Sequence, residues 1–245
     1  MLFNSLEYFL FLPLVFLLYY SLPGKYRWAL LLACSYYFYM CWEVNYIFLI
    51  FTSTLIDYFS AIKIEQASSK SAKKTWMFLS IASNLGILFF FKYFNFFTDT
   101  IELSLGVFNI KTAFPDFDIL LPVGISFYTF QSITFAVDVY RKESEPVVKL
   151  TDYLVYILSF PQMIAGPIVK YGDIAKQLIS RSETNDDRLI GFYRFVIGLS
   201  KKVLIANVMA EQADLIFNSD YSTLNWGNAW IGALAYTMQI YFDFS

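Results

Sequence analysis

Long apolar runs, rather than an alternation of apolar and polar residues, carry most of this chain. The hydrocarbon core of a bilayer is about 30 Å thick and takes about 20 apolar residues of helix to cross. Four early runs, at about 5–21, 27–42, 44–62 and 75–97, approach or meet that length. Composition agrees, since 58% of the 245 residues are hydrophobic, 21% are aromatic and only 16% are charged. A soluble chain is roughly a quarter charged. Lipid is therefore the expected solvent, and the expected fold class is all-α: a polytopic integral membrane protein. Later runs, at about 119–140, 152–169, 188–213 and 228 onward, bring the expectation to seven or eight membrane-embedded helices, with the run at 188–213 carrying several charges.

The charges between runs suggest an orientation. Lys25 and Arg27, then Lys63, Lys70, Lys73 and Lys74, then Arg141 and Lys142 occupy alternate loops, whereas Asp99, Glu102, Asp116 and Asp118 follow the fourth run. Basic loops favour the cytoplasm, which places the N-terminus on the outer, periplasmic side. After the sixth run Lys170, Lys176, Arg181 and Arg188 follow at once, as if the chain returned to the side it had left. The string Phe160-Pro161-Gln162-Met163-Ile164-Ala165-Gly166-Pro167 supplies two prolines and a glycine to break a helix at depth. A re-entrant hairpin and a kinked structural helix both fit. Non-helical backbone in a membrane is tolerated only where it is buried in protein or lines a wet cavity. The N-terminus has no basic region or cleavage site, so the first run reads as a retained helix.

The chain contains no histidine, the usual general base near neutral pH and the commonest metal ligand. Its two cysteines, Cys34 and Cys41, lie about 10 Å apart on one helix, too far for a disulfide. No phosphate loop, dinucleotide fingerprint or metal-ligand spacing is present, and Tyr128 stands where a nucleophile elbow starting at Gly124 would need its second glycine. Neither a metal nor a nucleic-acid partner is expected. Intramembrane charges are the remaining candidates. Depth along the helices separates Asp57 from Lys92, so Lys92 is expected to snorkel outward and Asp57 to find a tyrosine or serine. Asp138 reads as a helix-end partner of Arg141. Gln239 and Asp243 lie one turn apart on an aromatic helix and should face protein, either lining a cavity or tying helices together. Arg188, Arg194, Lys201 and Lys202 could meet cofactor phosphates or lipid headgroups, the latter being the commoner arrangement.

A series of strings gives a more specific reading. Leu85-Gly86 leading to Phe91-Lys92-Tyr93-Phe94-Asn95-Phe96-Phe97, Leu121-Pro122-Val123-Gly124-Ile125-Ser126-Phe127-Tyr128-Thr129-Phe130-Gln131 running on to Val137-Asp138-Val139-Tyr140-Arg141, and Phe160-Pro161-Gln162-Met163-Ile164-Ala165-Gly166-Pro167-Ile168-Val169-Lys170-Tyr171 come first. Gly198-Leu199-Ser200-Lys201-Lys202-Val203-Leu204-Ile205-Ala206 and Gln239-Ile240-Tyr241-Phe242-Asp243-Phe244-Ser245 come next, in that order. Together they resemble the membrane-bound O-acyltransferase family, in its alginate O-acetyltransferase branch, with peptidoglycan O-acetyltransferases and teichoic-acid D-alanyl transfer proteins as relatives.

The resemblance implies that residues 1–245 are the N-terminal part of a single transmembrane domain. The family's catalytic histidines would fall beyond Ser245, so no catalytic residue can be carried onto this chain, and truncation would account for the absence of histidine. It implies a funnel into the membrane, no tightly bound cofactor, and an acyl donor such as acetyl-CoA or another cytoplasmic acyl thioester. It also implies a bacterial inner-membrane location and a periplasmic acetyltransferase or esterase-like partner. On this reading Pro161, Gln162, Gly166 and Pro167 shape the funnel wall, and Gln239 and Asp243 brace the catalytic helix. A non-catalytic scaffold is the alternative of another class. A transporter built of inverted halves is disfavoured because no internal repeat is visible.

Overall fold

The computed structural model describes residues 5–110, 114–115, 120–144, 149–163, 168–179, 183–220 and 224–245. Among these every regular element is a helix and there is no strand. The helices are α1 (Leu6–Ser21), α2 (Arg27–Met40), α3 (Tyr46–Gln66), α4 (Lys70–Val107), α5 (Ile125–Arg141), α6 (Leu150–Leu158), α7 (Phe160–Met163), α8 (Tyr171–Ile179), α9 (Asn185–Ser200), α10 (Asn207–Phe217) and α11 (Trp226–Phe244), with a π-helical stretch, Lys201–Ala206, joining α9 to α10. The chain divides into two compact units whose described residues lie within 10–179 and 183–245, the second also taking in residues 5–9.

Two helices, α3 and α4, are long and apolar enough to cross a membrane, and α1 is a shorter apolar helix. The expectation of seven or eight embedded helices is thus met at full crossing length by two. At 14 residues α2 reaches only about 21 Å. Large apolar side chains nevertheless face outward along both units, among them Phe48, Phe59, Phe78, Phe96, Trp230 and Leu234, each more than half exposed. A surface so apolar suits lipid and would aggregate in water.

Several boundaries differ from the sequence expectation, each for a local reason. The fourth run is part of a 38-residue helix, about 57 Å long. It starts at Ser69, whose side chain accepts from the Ala72 N–H at 3.1 Å, so Lys70, Lys73 and Lys74 sit in its first turns and not in a loop. Nothing breaks it at Asp99 or Glu102. It ends where Asn109 takes a left-handed φ of 59°, with Asn109 N–H bonded to Gly106 and Ile110 N–H to Leu105, the paired bonds of a Schellman cap. The fifth run begins its helix only at Ile125 because Gly124, at φ 74° and ψ 4°, turns the chain just before it.

In the first unit, α3 packs on α4, α5 and α6, and α6 on α2 and α8. The buried face of α3, Ile50, Ser53, Thr54, Asp57, Ser60, Ala61 and Ile64, recurs at helical spacing and is mostly small or polar, which lets neighbouring backbones approach closely. In the second unit α10 packs on α11. Gly232 marks their contact, since a Cβ there would lie 2.9 Å from Ile216 Cγ2.

Gly124→Ala should destabilise the detergent-solubilised protein by about 1–2 kcal/mol, the cost of a left-handed non-glycine residue. Gly86→Ala, in mid-helix with open space around a new Cβ, should stabilise it by about 0.5–1 kcal/mol. Thermal unfolding of the two variants side by side checks both signs.

Candidate functional site

Helix α6 is the centre of the first unit. Its residues from Tyr153 to Leu158 are at most 6% exposed, so protein surrounds it on every side. Nine residues reach about 14 Å, half a bilayer core, so the sixth run is not one continuous span. It stops at Ser159, whose ψ of 113° leaves the helical region. Pro161 explains the stop: in a continuous helix it would have no N–H to give the Ile157 carbonyl, and its ring would clash with that carbonyl.

A break here severs the bond that a continuous helix would make from Phe160 N–H to Tyr156 C=O. In a buried setting each half needs a new partner. The Phe160 N–H donates to Ser35 Oγ of α2 at 3.1 Å. The Tyr156 carbonyl accepts from Gln162 Nε2 at 2.6 Å and from Gln131 Nε2 of α5 at 3.2 Å. Tyr156 also fixes the chain beyond the break, its hydroxyl donating to the Val169 carbonyl at 2.8 Å. Aromatic rings close around it, with Tyr156 and Tyr171 centroids 5.3 Å apart and Phe135 and Tyr153 4.7 Å apart. The Phe160 ring meets Phe11 at 5.3 Å and Phe38 at 5.8 Å.

Among the residues expected at this site, Gln162 is half-buried and bonded as above, and Pro161 is exposed. Gly166 and Pro167 lie outside the described residues. Sequence reasoning missed Ser35 and Gln131. Gln131 carried a signal, as an amide three residues from Tyr128 and four from Phe135 on the buried face of α5. Ser35 carried none, because a serine in an apolar helix reads equally well as a packing residue.

The second unit holds the other two. Asp243 of α11 pairs with Lys202 Nζ at 2.5 Å, the two side chains 21% and 38% exposed. Gln239 is half-buried one turn earlier on the same helix. Lys202 lies in the π-helical stretch, so a lysine expected to meet phosphates or headgroups has a carboxylate as its partner. Arg188 pairs with Glu183 at 3.6 Å.

The remaining charges fall into place in the first unit. Lys92 is exposed, with its Nζ 3.4 Å from Ser126 Oγ, and Asp57 takes Ser80 and Asn84 as its partners. Asp138 departs from expectation. Its ion pair is with Lys170 at 3.8 Å, while Arg141 pairs with Glu143 at 4.0 Å. Lys142, at a left-handed φ of 62°, turns the chain so that the Glu143 N–H donates to the Asp138 carbonyl. No cluster of three metal-ligating side chains occurs among the described residues.

An all-helical, apolar frame with a buried, proline-broken helix in its first unit carries the five motifs in order. Comparison with known proteins narrows the reading. The chain is 41% identical over 239 residues to the probable alginate O-acetylase AlgI of Azotobacter vinelandii, covering 97% of this chain and 47% of that protein. It is 40% identical over 238 residues to the probable alginate O-acetylase AlgI of Pseudomonas aeruginosa, with 97% and 45% covered. Against the peptidoglycan O-acetyltransferase of Helicobacter pylori it is 34% identical, with 100% and 52% covered. Along nearly its whole length the chain is similar to these O-acetyltransferases, and the membrane-bound O-acyltransferase resemblance carried by its motifs points the same way. It spans about half the length of these relatives. No family model matches the chain, and no solved structure matches it significantly.

Either amide can satisfy the Tyr156 carbonyl, so Gln131→Met and Gln162→Met should each cost under about 1 kcal/mol alone. The double variant, which leaves a buried acceptor bare, should cost about 1–3 kcal/mol beyond their sum. A double-mutant cycle of unfolding midpoints in detergent reads this coupling, and additive effects would show that the two amides do not share the carbonyl.

Proposed function

We propose that this chain forms the N-terminal half of an inner-membrane O-acetyltransferase that moves an acetyl group from a cytoplasmic thioester donor toward an exported polysaccharide of the alginate type. The observation that carries the reading is identity near 40% to alginate O-acetylases along 97% of the chain. Acetyl-CoA fits the donor role because a thioester holds the acyl group at a potential that an alcohol acceptor can draw on. A histidine outside this sequence would supply the base, since the chain has none. The acceptor sugar would be reached through a periplasmic acetyltransferase or esterase-like partner.

In this scheme the broken helix shapes the wall of a funnel, with Pro161 and Gln162 on its described part. Asp243, held by Lys202, and Gln239 brace the helix that leads toward the catalytic segment. Three lysines in the first turns of α4 oppose the helix dipole, which favours acidic groups there. Anionic headgroups would offset that cost, which supports a cytoplasmic position for this end. Acetylation of peptidoglycan is the second reading, favoured by the 34% identity to the Helicobacter pylori enzyme.

The test is a chimera in which residues 1–245 replace the matching region of the Azotobacter vinelandii probable alginate O-acetylase, in a strain lacking its own copy. Ester-linked acetate on secreted alginate should be restored to within several-fold of the unmodified protein, whereas this chain expressed alone should leave it at background. A chimera that accumulates in the membrane but gives no alginate acetylation would overturn the alginate reading. Acetate found on peptidoglycan instead would favour the second.

A further inference from the structure

The first unit holds a second buried polar cluster, which shares α6 with the helix break but none of its hydrogen bonds. Asp57, in the middle of α3, is 0% exposed. Its Oδ1 accepts from Ser80 Oγ at 2.6 Å and from Asn84 Nδ2 at 2.7 Å, both on α4. Ser132 of α5 lies against the carboxylate, and Tyr153 of α6 lies beside both. The other carboxylate oxygen, Asp57 Oδ2, and the amide oxygen Asn84 Oδ1 are buried acceptors with no partner, and the buried hydroxyls of Tyr128 and Tyr153 also lack one. Asp57 has no ion pair among the described residues. Lys92 is engaged at Ser126 and Lys170 at Asp138.

An ionised carboxylate surrounded by protein is costly unless a positive charge or a full set of donors meets it. Ser80 and Asn84 converge on one oxygen, Ser132 is the one further hydroxyl beside the carboxylate, and the other oxygen has no partner in hydrogen-bond geometry. What would satisfy both bare acceptors and balance the charge is a cation. One carboxylate supplies one negative charge, and no cluster of three acidic, histidine or cysteine side chains is present among the described residues, so a divalent ion would be left uncompensated. All the atoms offered are oxygens, which suit a hard cation. The titratable groups at the site are Asp57 itself, Tyr128 and Tyr153, with Tyr39 of α2 next to Tyr128; α4 contributes Ser80 and Asn84.

We propose that Asp57, with Asn84, Ser132, Tyr128 and Tyr153, forms a buried site for one monovalent cation, a sodium ion or a proton, that locks α3, α4, α5 and α6 together. This assignment does not depend on the acceptor of the acetyl group. It concerns a cluster in which neither Gln162 nor Tyr156 takes part.

The test monitors thermal unfolding of the full chain in detergent, in two titrations. One replaces choline chloride by sodium chloride at constant ionic strength and pH. The other varies pH in choline chloride alone. A sodium site should raise the wild-type midpoint saturably, by about 5 °C, and the rise should vanish in Asp57→Asn. A proton site should give no sodium effect. Instead the wild-type midpoint should fall with rising pH relative to Asp57→Asn, because the native state would hold a proton that the unfolded chain releases. Wild-type and Asp57→Asn curves that run parallel in both titrations would overturn the site. If Asp57→Asn does not accumulate, Ser132→Ala keeps the charge and should displace the sodium half-saturation or the pH midpoint several-fold. Unchanged curves for that variant would overturn the proposal equally.

Discussion

A backbone carbonyl and an N–H that lose each other inside an apolar protein must both be met by something else, and α6 shows how strongly that requirement organises its surroundings. Water is not at hand around residues that are all but fully buried, and an unmet polar group there costs more than a typical hydrogen bond contributes. The break at Ser159 is met by three side chains from three helices: Ser35 on α2, Gln131 on α5 and Gln162 on α7. Each must approach at hydrogen-bond distance, which fixes where α2 and α5 stand relative to α6. The aromatic packing of Phe135, Tyr153, Tyr156 and Tyr171 then fills the space those bonds define. Rings have broad tolerance in packing and little directionality, whereas amide-to-carbonyl bonds do not.

The placement of α5 rests on the same economy at its ends. Gly124 and Lys142 both take left-handed backbone, so the chain enters and leaves the helix by sharp turns. Between them one buried face carries Tyr128, Gln131, Ser132, Phe135 and Asp138, and three of these serve three different partners. Gln131 serves the broken helix, Ser132 lies against Asp57 of α3, and Asp138 pairs with Lys170 beyond the break. A half-turn shift of α5 would misplace all three.

Legibility in the sequence depends on which physics is local. The first three apolar runs became α1, α2 and α3 within a few residues, because hydropathy and length act along one segment. The extension of α4 past Phe97 was not legible, since Asp99 and Glu102 read as loop charges although no breaker precedes Gly106 and Asn109. The break at Pro161 was foreseen because proline acts on its own backbone. Its partners were not, because Ser35 lies 125 residues from Phe160, and no periodicity links them. Asp138 shows the same limit. Arg141, three residues on, was the near choice, but the turn at Lys142 redirects the chain and Lys170 arrives from elsewhere. A tyrosine or serine partner for Asp57 was expected from the cost of burying a charge, while the choice of Ser80 and Asn84 needed the register of α3 on α4.

The second unit solves a different problem. Its helices meet through small residues: Ala206 and Ala213 on one side and Gly232 and Ala235 on the other are all buried, and Gly232 has no room for a methyl group against Ile216. Packing of that kind draws on van der Waals contact between close backbones and does not need polar partners. It fixes separation well but rotation poorly, because a smooth face can turn. The π-helical stretch supplies the missing constraint. Widening the helix over Lys201–Ala206 rotates α10 relative to α9, which is how such segments re-aim side chains within a continuous helix. Lys202 reaches Asp243 from within that stretch, while Ala206 at its end stays buried with Ala213. An ordinary α-helical turn could not keep both directions without shifting one of them by about 100°. The ion pair thus acts as an angular pin on an interface whose distance the small residues have already set, even though a pair this exposed contributes under about 1 kcal/mol of stability.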